Sequence, residues 1–105
     1  MDVRAEERFW ATVRRTVERM QETAPDGYMA RVDVHLMDER IAPAVAHPVP
    51  PWIIFESEED PPGRRVIAVR PEHIVHVEIS YVRADGRSRP GFQVRPTDED
   101  GVVPN

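Results

Sequence analysis

Residues 28–37, YMARVDVHLM, alternate between apolar and polar side chains from Ala30 to Leu36. Tyr28, Ala30, Val32, Val34 and Leu36 fall on one side, and Arg31, Asp33 and His35 on the other. A period of two sustained over this length predicts a β-strand with one face buried and one face wet. Such a strand requires a cover for its apolar face, and the preceding residues supply one. Trp10, Val13, Val17 and Met20 recur at spacings of three and four, with Val3 and Phe9 extending the stripe, which predicts an amphipathic helix over residues 2–23. Two heptads are too few for a coiled coil, so the stripe is expected to pack on the sheet. Pro25-Asp26-Gly27 ends the helix, because proline cannot continue it and glycine permits a left-handed turn.

A second alternating run follows later. Val75, Val77, Ile79 and Tyr81 interleave with His76, Glu78 and Ser80, and the first four are expected in the core. Pro71-Glu72-His73 reads as a single turn separating this run from a strand at 64–69. WIIFE (52–56) and RRVIAV (64–69) flank SEEDPPG, whose Pro-Pro-Gly signals a hairpin. In that hairpin Glu58, Glu59 and Asp60 would face Arg64 and Arg65, which accounts for the acidic cluster without a cation. Residues 41–51, IAPAVAHPVPP, carry four prolines and no charge. They are expected to form an extended connector outside the sheet. ADGRSRPG then reads as a hairpin turn, with FQVR (92–95) returning as a short last strand.

These elements sum to an α+β fold: an N-terminal amphipathic helix packed on a bent antiparallel sheet or small open barrel of about five strands. A single domain is expected over residues 1–95, followed by a flexible acidic tail at 96–105. The strand–turn–strand sequence VIAVRPEHIVHVEI (66–79) and the order of one helix before five strands resemble Sm-like and other small barrels. The glycine and the asparagine or aspartate of the Sm nucleotide pocket have no counterpart at matching positions, so the resemblance bears on fold alone.

Composition narrows the chemistry. The chain has no cysteine, which removes disulfides, thiolate metal sites and cysteine nucleophiles and fits a cytoplasmic location. All 14 basic residues are arginine, so Schiff-base and P-loop lysine chemistry are excluded. No apolar run is long enough to span a membrane, and the charged N-terminus lacks the apolar segment of a secretory signal. Ser57, Ser80 and Ser88 lack a nucleophile-elbow context, and no glycine-rich phosphate loop occurs, so no enzymatic activity and no cofactor is expected.

Two constellations remain. Asp33 and His35 share the polar face of one predicted strand, and His76 and Glu78 share that of another. If those strands are neighbours, the four side chains meet on one surface as weak candidate ligands for Zn²⁺ or a similar ion. The second constellation is electrostatic. Residues 25–63 hold eight acids and two arginines, whereas 64–95 hold seven arginines and three acids. Arg83, Arg87, Arg89 and Arg95 gather around the last predicted turn together with Phe92, a set suited to a protein partner or to phosphates and stacked bases. The net charge of −5 argues against broad nucleic-acid binding. The expected function is a non-catalytic interaction or regulatory accessory module that self-associates, a homodimer being favoured. RNA or single-stranded DNA binding and divalent-metal binding are the alternatives.

Overall fold

Helix α1 (Val3–Glu22) precedes seven strands in the computed structural model, which describes residues 3–59, 63–84 and 92–95. The strands are β1 (Tyr28–Leu36), β2 (Arg40–Ile41), β3 (Val45–Val49), β4 (Trp52–Glu59), β5 (Gly63–Val69), β6 (Ile74–Arg83) and β7 (Gln93–Val94). They form two sheets, one antiparallel in the order β2-β1-β6 and one mixed in the order β5-β4-β3-β7. The result is the expected α+β architecture, with one helix packed on sheets that do not close into a barrel. No helix among the described residues is long and apolar enough to cross a membrane. The tail at 96–105 lies outside the described residues.

The helical stripe performs as its spacing dictates. Trp10, Val13 and Val17 are buried and Met20 packs beside them, whereas Phe9 stays half exposed and sets its ring edge-on to Trp10. The side chain of Val3 lies outside what is described. Trp10 is 0% exposed and stands edge-on to Phe55 of β4, with ring centroids 5.4 Å apart. One cluster thus joins α1 to Ala30, Val32 and Val34 of β1, Ile41, Ala46, Ile53, Phe55, Val69 and Phe92. The end of α1 is fastened to sheet A (β2-β1-β6) by two polar contacts. Gln21 Oε1 accepts from the Ala30 N–H at 3.0 Å, and the Tyr81 hydroxyl donates to the Met20 carbonyl at 3.2 Å.

Four sequence expectations are corrected. First, residues 41–51 are not a connector outside the sheet, because β3 pairs with β4 from Val45↔Glu56 to Val49↔Trp52. Pro48 is fully buried within β3. It is tolerated because β7 pairs with Val45 and Ala46, so among the described residues β3 has one neighbour at Pro48 and no second ladder to break there. The chain then turns through a cis peptide at Pro50-Pro51.

Second, β7 does not return along β6. It runs parallel to β3 in the other sheet, donating from Gln93 to Ala44 O and from Arg95 to Ala46 O, each at 2.9 Å. Third, the described residues hold seven strands rather than about five, the two added being β2 and the proline-bearing β3.

Fourth, Val75 is not in the core. The β1–β6 ladder is regular from Tyr28↔Arg83 to His35↔His76 and then shifts, so that Leu36 faces Ile74. The extra residue in β6 reverses the alternation at that point: Ile74 packs on the core and Val75 is 61% exposed. Tyr81, at the other end, sits at the rim with its ring partly exposed. The turn between the sheets is as expected, one turn of 3₁₀ helix at Pro71–His73.

Gly27 has φ +83°, the one described residue in the left-handed region. A Cβ there would meet nothing within 4 Å, so alanine would suffer only in the backbone. Gly27→Ala is therefore expected to lower unfolding free energy by about 1–2 kcal/mol, measured by urea denaturation, with the fold unchanged by circular dichroism.

Candidate functional site

The outer face of sheet A is built by period two from three strands. On β1 it carries Arg31, Asp33 and His35, and on β6 His76, Glu78 and Ser80. Cross-strand register sets Arg31 against Ser80, Asp33 against Glu78 and His35 against His76, while Arg40 of β2 lies against His35 on the far side. The opposite face of the same strands places Val32 against Ile79 and Val34 against Val77 in the core. The four metal-ligand candidates therefore do share one surface, as the alternation implies.

Their environments differ sharply. Asp33 is only 2% exposed although it lies on the outer face. Its Oδ2 accepts from Arg31 Nε at 3.0 Å, and its Oδ1 lies 4.0 Å from Arg40 Nε. Two guanidinium groups compensate the buried carboxylate, so Asp33 serves the sheet as a structural counter-ion. Sequence reasoning grouped it with the histidines because burial on a polar strand face leaves no mark in the alternation.

His35 and His76 stack, with ring centroids 4.0 Å apart and planes 20° from parallel. One ligand atom from each of His35, His76 and Glu78 lies within 4.8 Å of the others. Glu78 and His76 are exposed, and His35 is half-buried. The Nε2 atom of His35 is buried and has no hydrogen-bond partner. An unsatisfied buried polar atom costs about 1–3 kcal/mol, and this nitrogen is the one buried side-chain N or O without a partner among the described residues. The arrangement offers two imidazole nitrogens and one carboxylate oxygen converging from adjacent strands.

The proposed arginine surface is partly used by folding. Phe92 is 7% exposed and packs near Trp10 with ring centroids 6.2 Å apart, so it belongs to the core and is out of reach of a base. Its place follows from β7 joining β3, which a hairpin with β6 would not have produced. Arg95 Nη1 lies 2.7 Å from Oε2 of the buried Glu56, tying β7 to β4 across β3. Arg83 is exposed at the end of β6. Arg87 and Arg89 lie outside the described residues. Of the acidic cluster, Glu58 is in register with Arg64, Asp60 lies outside the described residues, and Arg65 reaches Glu39 of the β1–β2 turn at 2.8 Å.

The edges of the sheets complete the inventory. β2 and β7 are two residues each, and β5 begins with Gly63 and two arginines. β6 is ten residues long, pairs with β1 on one side and has no strand on the other among the described residues.

Comparison with known proteins adds no relative: no family model matches the chain, and neither a curated protein nor a solved structure matches it significantly.

The orphaned nitrogen makes a direct prediction. His35→Phe keeps a flat ring against His76 and removes the unsatisfied atom. In chelator-treated buffer the variant is expected to be as stable as the parent or more stable by up to about 1 kcal/mol, read by thermal and urea unfolding.

Proposed function

We propose that this protein is a small, non-catalytic interaction module of accessory or regulatory type that self-associates, two copies pairing along the free edge of β6. The observation that carries this reading is the unpaired edge itself. At about 3.3 Å per residue, ten residues present an edge of roughly 33 Å. Alternate N–H and C=O groups along it lack a strand partner among the described residues. Long edges are commonly blunted by lysine, proline or inward charges, and the run IVHVEISYVR has none of the first two. Its one blunting device is the irregularity at Val75, beyond which His76–Arg83 pair with β1 in unbroken register.

An antiparallel two-fold pairing must match core face to core face. The register with Ile79 on the axis does so, setting Val77 against the partner's Tyr81 and Glu78 against the partner's Ser80. Of the two neighbouring registers that keep the faces matched, one sets Glu78 against the partner's Glu78, which like-charge repulsion disfavours, and the other sets Glu78 against the apolar Val82 of the partner subunit. Closed two-fold symmetry then limits assembly to a dimer. The nucleic-acid alternative has less support, since Phe92 is buried in the core and Arg95 is paired with Glu56.

Sedimentation velocity over a concentration series tests the reading. The parent chain should show a reversible dimer. Ser80→Glu should weaken it by about tenfold, because each of two Glu78 side chains then faces a new carboxylate, while within one chain the new Glu lies against Arg31. A parent that stays monomeric at every concentration, or a dimer indifferent to Ser80→Glu, would overturn it.

A further inference from the structure

We infer that His35, His76 and Glu78 form a binding site for a divalent transition metal of the zinc class. The inference stands apart from self-association, because all three ligands belong to one chain and lie on the face of the sheet rather than along its edge. Three independent features of the structure point the same way.

The first is convergence. His76 and Glu78 are two residues apart on β6, so period two sends both to one face, and His35 sits directly opposite His76 on β1. The three donor atoms already lie within 4.8 Å of one another. Donors around a tetrahedral zinc, each about 2.0–2.2 Å from the ion, lie roughly 3.3 Å apart. Closing the gap takes side-chain rotation, with the stacked imidazoles opening slightly, and no backbone movement. Both strands are fixed by the valine and isoleucine pairs beneath them.

The second is the state of His35 Nε2. A buried imidazole nitrogen without a partner is a lone pair or a proton with nowhere to go, and a cation satisfies the lone pair. Neighbouring Asp33 does not bond it: its carboxylate accepts from Arg31 and lies near Arg40.

The third is donor chemistry. Two nitrogens and one carboxylate, with no thiolate in the chain, match the intermediate softness of Zn²⁺ and its neighbours. Ca²⁺ and Mg²⁺ prefer oxygen cages and have only one carboxylate here. Because Asp33 is engaged elsewhere and His76 and Glu78 are exposed, three protein ligands leave one position open to solvent or to an exchangeable ligand.

The experiment uses the full chain with any purification tag removed and the protein stripped by chelator. Added Zn²⁺ should bind one per chain by calorimetry and raise Tm by about 4 °C or more at saturation, while Mg²⁺ should do neither. Co²⁺ in place of Zn²⁺ should give the visible absorption of a four-coordinate N,O site. His35→Phe, which is expected to fold at least as well as the parent, and His76→Ala should each abolish the Tm rise and the cobalt spectrum. Glu78→Gln should weaken zinc by about tenfold or more. His73→Ala, in the 3₁₀ turn, should bind as the parent does. The inference falls if the parent shows no zinc-dependent Tm rise, if His35→Phe or His76→Ala retains it, or if Mg²⁺ produces the same rise.

Discussion

Much of this molecule depends on the register of one antiparallel ladder. Val32 against Ile79 and Val34 against Val77 bury the inner face of sheet A beneath α1. Because side chains alternate, a slip of β6 by one residue would turn Val77 and Ile79 to the outer face and leave Val32 and Val34 without their partners, so hydrophobic burial fixes the register strongly. The outer face inherits that register without having chosen it. His35 meets His76 and Asp33 meets Glu78 because the valines on the reverse side must meet their own partners. The wet face is thus held by forces that act on the dry one, and this gives its polar groups a rigid spacing.

The exclusive use of arginine acquires a structural meaning in this setting. The acidic and basic halves of the chain suggest a surface poised for an external partner, but several of the charges find each other internally. Arg95 reaches Glu56, and Arg65 reaches Glu39, each pair linking the basic half to the acidic half. Arg31 and Arg40 compensate Asp33, and Arg70 lies over the Trp52 ring while its Nε bonds Glu72. Partly exposed pairs of this kind contribute at most about 1 kcal/mol each. In Arg95–Glu56 and Arg65–Glu39 the value is positional, since the planar guanidinium joins segments that share no ladder.

How much was legible beforehand follows from the kind of signal involved. The helix stripe, the core face of β1 and the grouping of His35, His76 and Glu78 rest on periodicity, which is local and survives in the sequence. The place of Pro48 inside a strand was not legible, because it depends on β7 pairing with Val45 and Ala46 and not with Pro48 among the described residues, a fact about a strand nearly fifty residues away in the chain. The placement of Phe92 failed for the same reason: Asp85-Gly86 signals a hairpin, but the choice of sheet for β7 is made by the core around Trp10. Val75 was misassigned because an extra residue in one strand becomes visible only when its partner is known. The burial of Asp33 likewise needed Arg31 and Arg40 in space. Opposition of the two imidazoles, as distinct from their sharing a face, required the register itself.

The path of the chain between the two sheets carries one more implication. It leaves sheet A after β2, builds β3, β4 and β5 as a contiguous meander over residues 45–69, returns to sheet A for β6, and crosses again before β7. The meander is made of near neighbours in sequence, whereas β1 can find β6 only after the whole intervening stretch has been brought back. Loop-closure entropy therefore argues that the meander assembles early and the β1–β6 ladder late. The histidine face would then be among the last surfaces to exist. Neither sheet can peel away without dragging strands from the other, which makes a single cooperative transition the natural mode of unfolding.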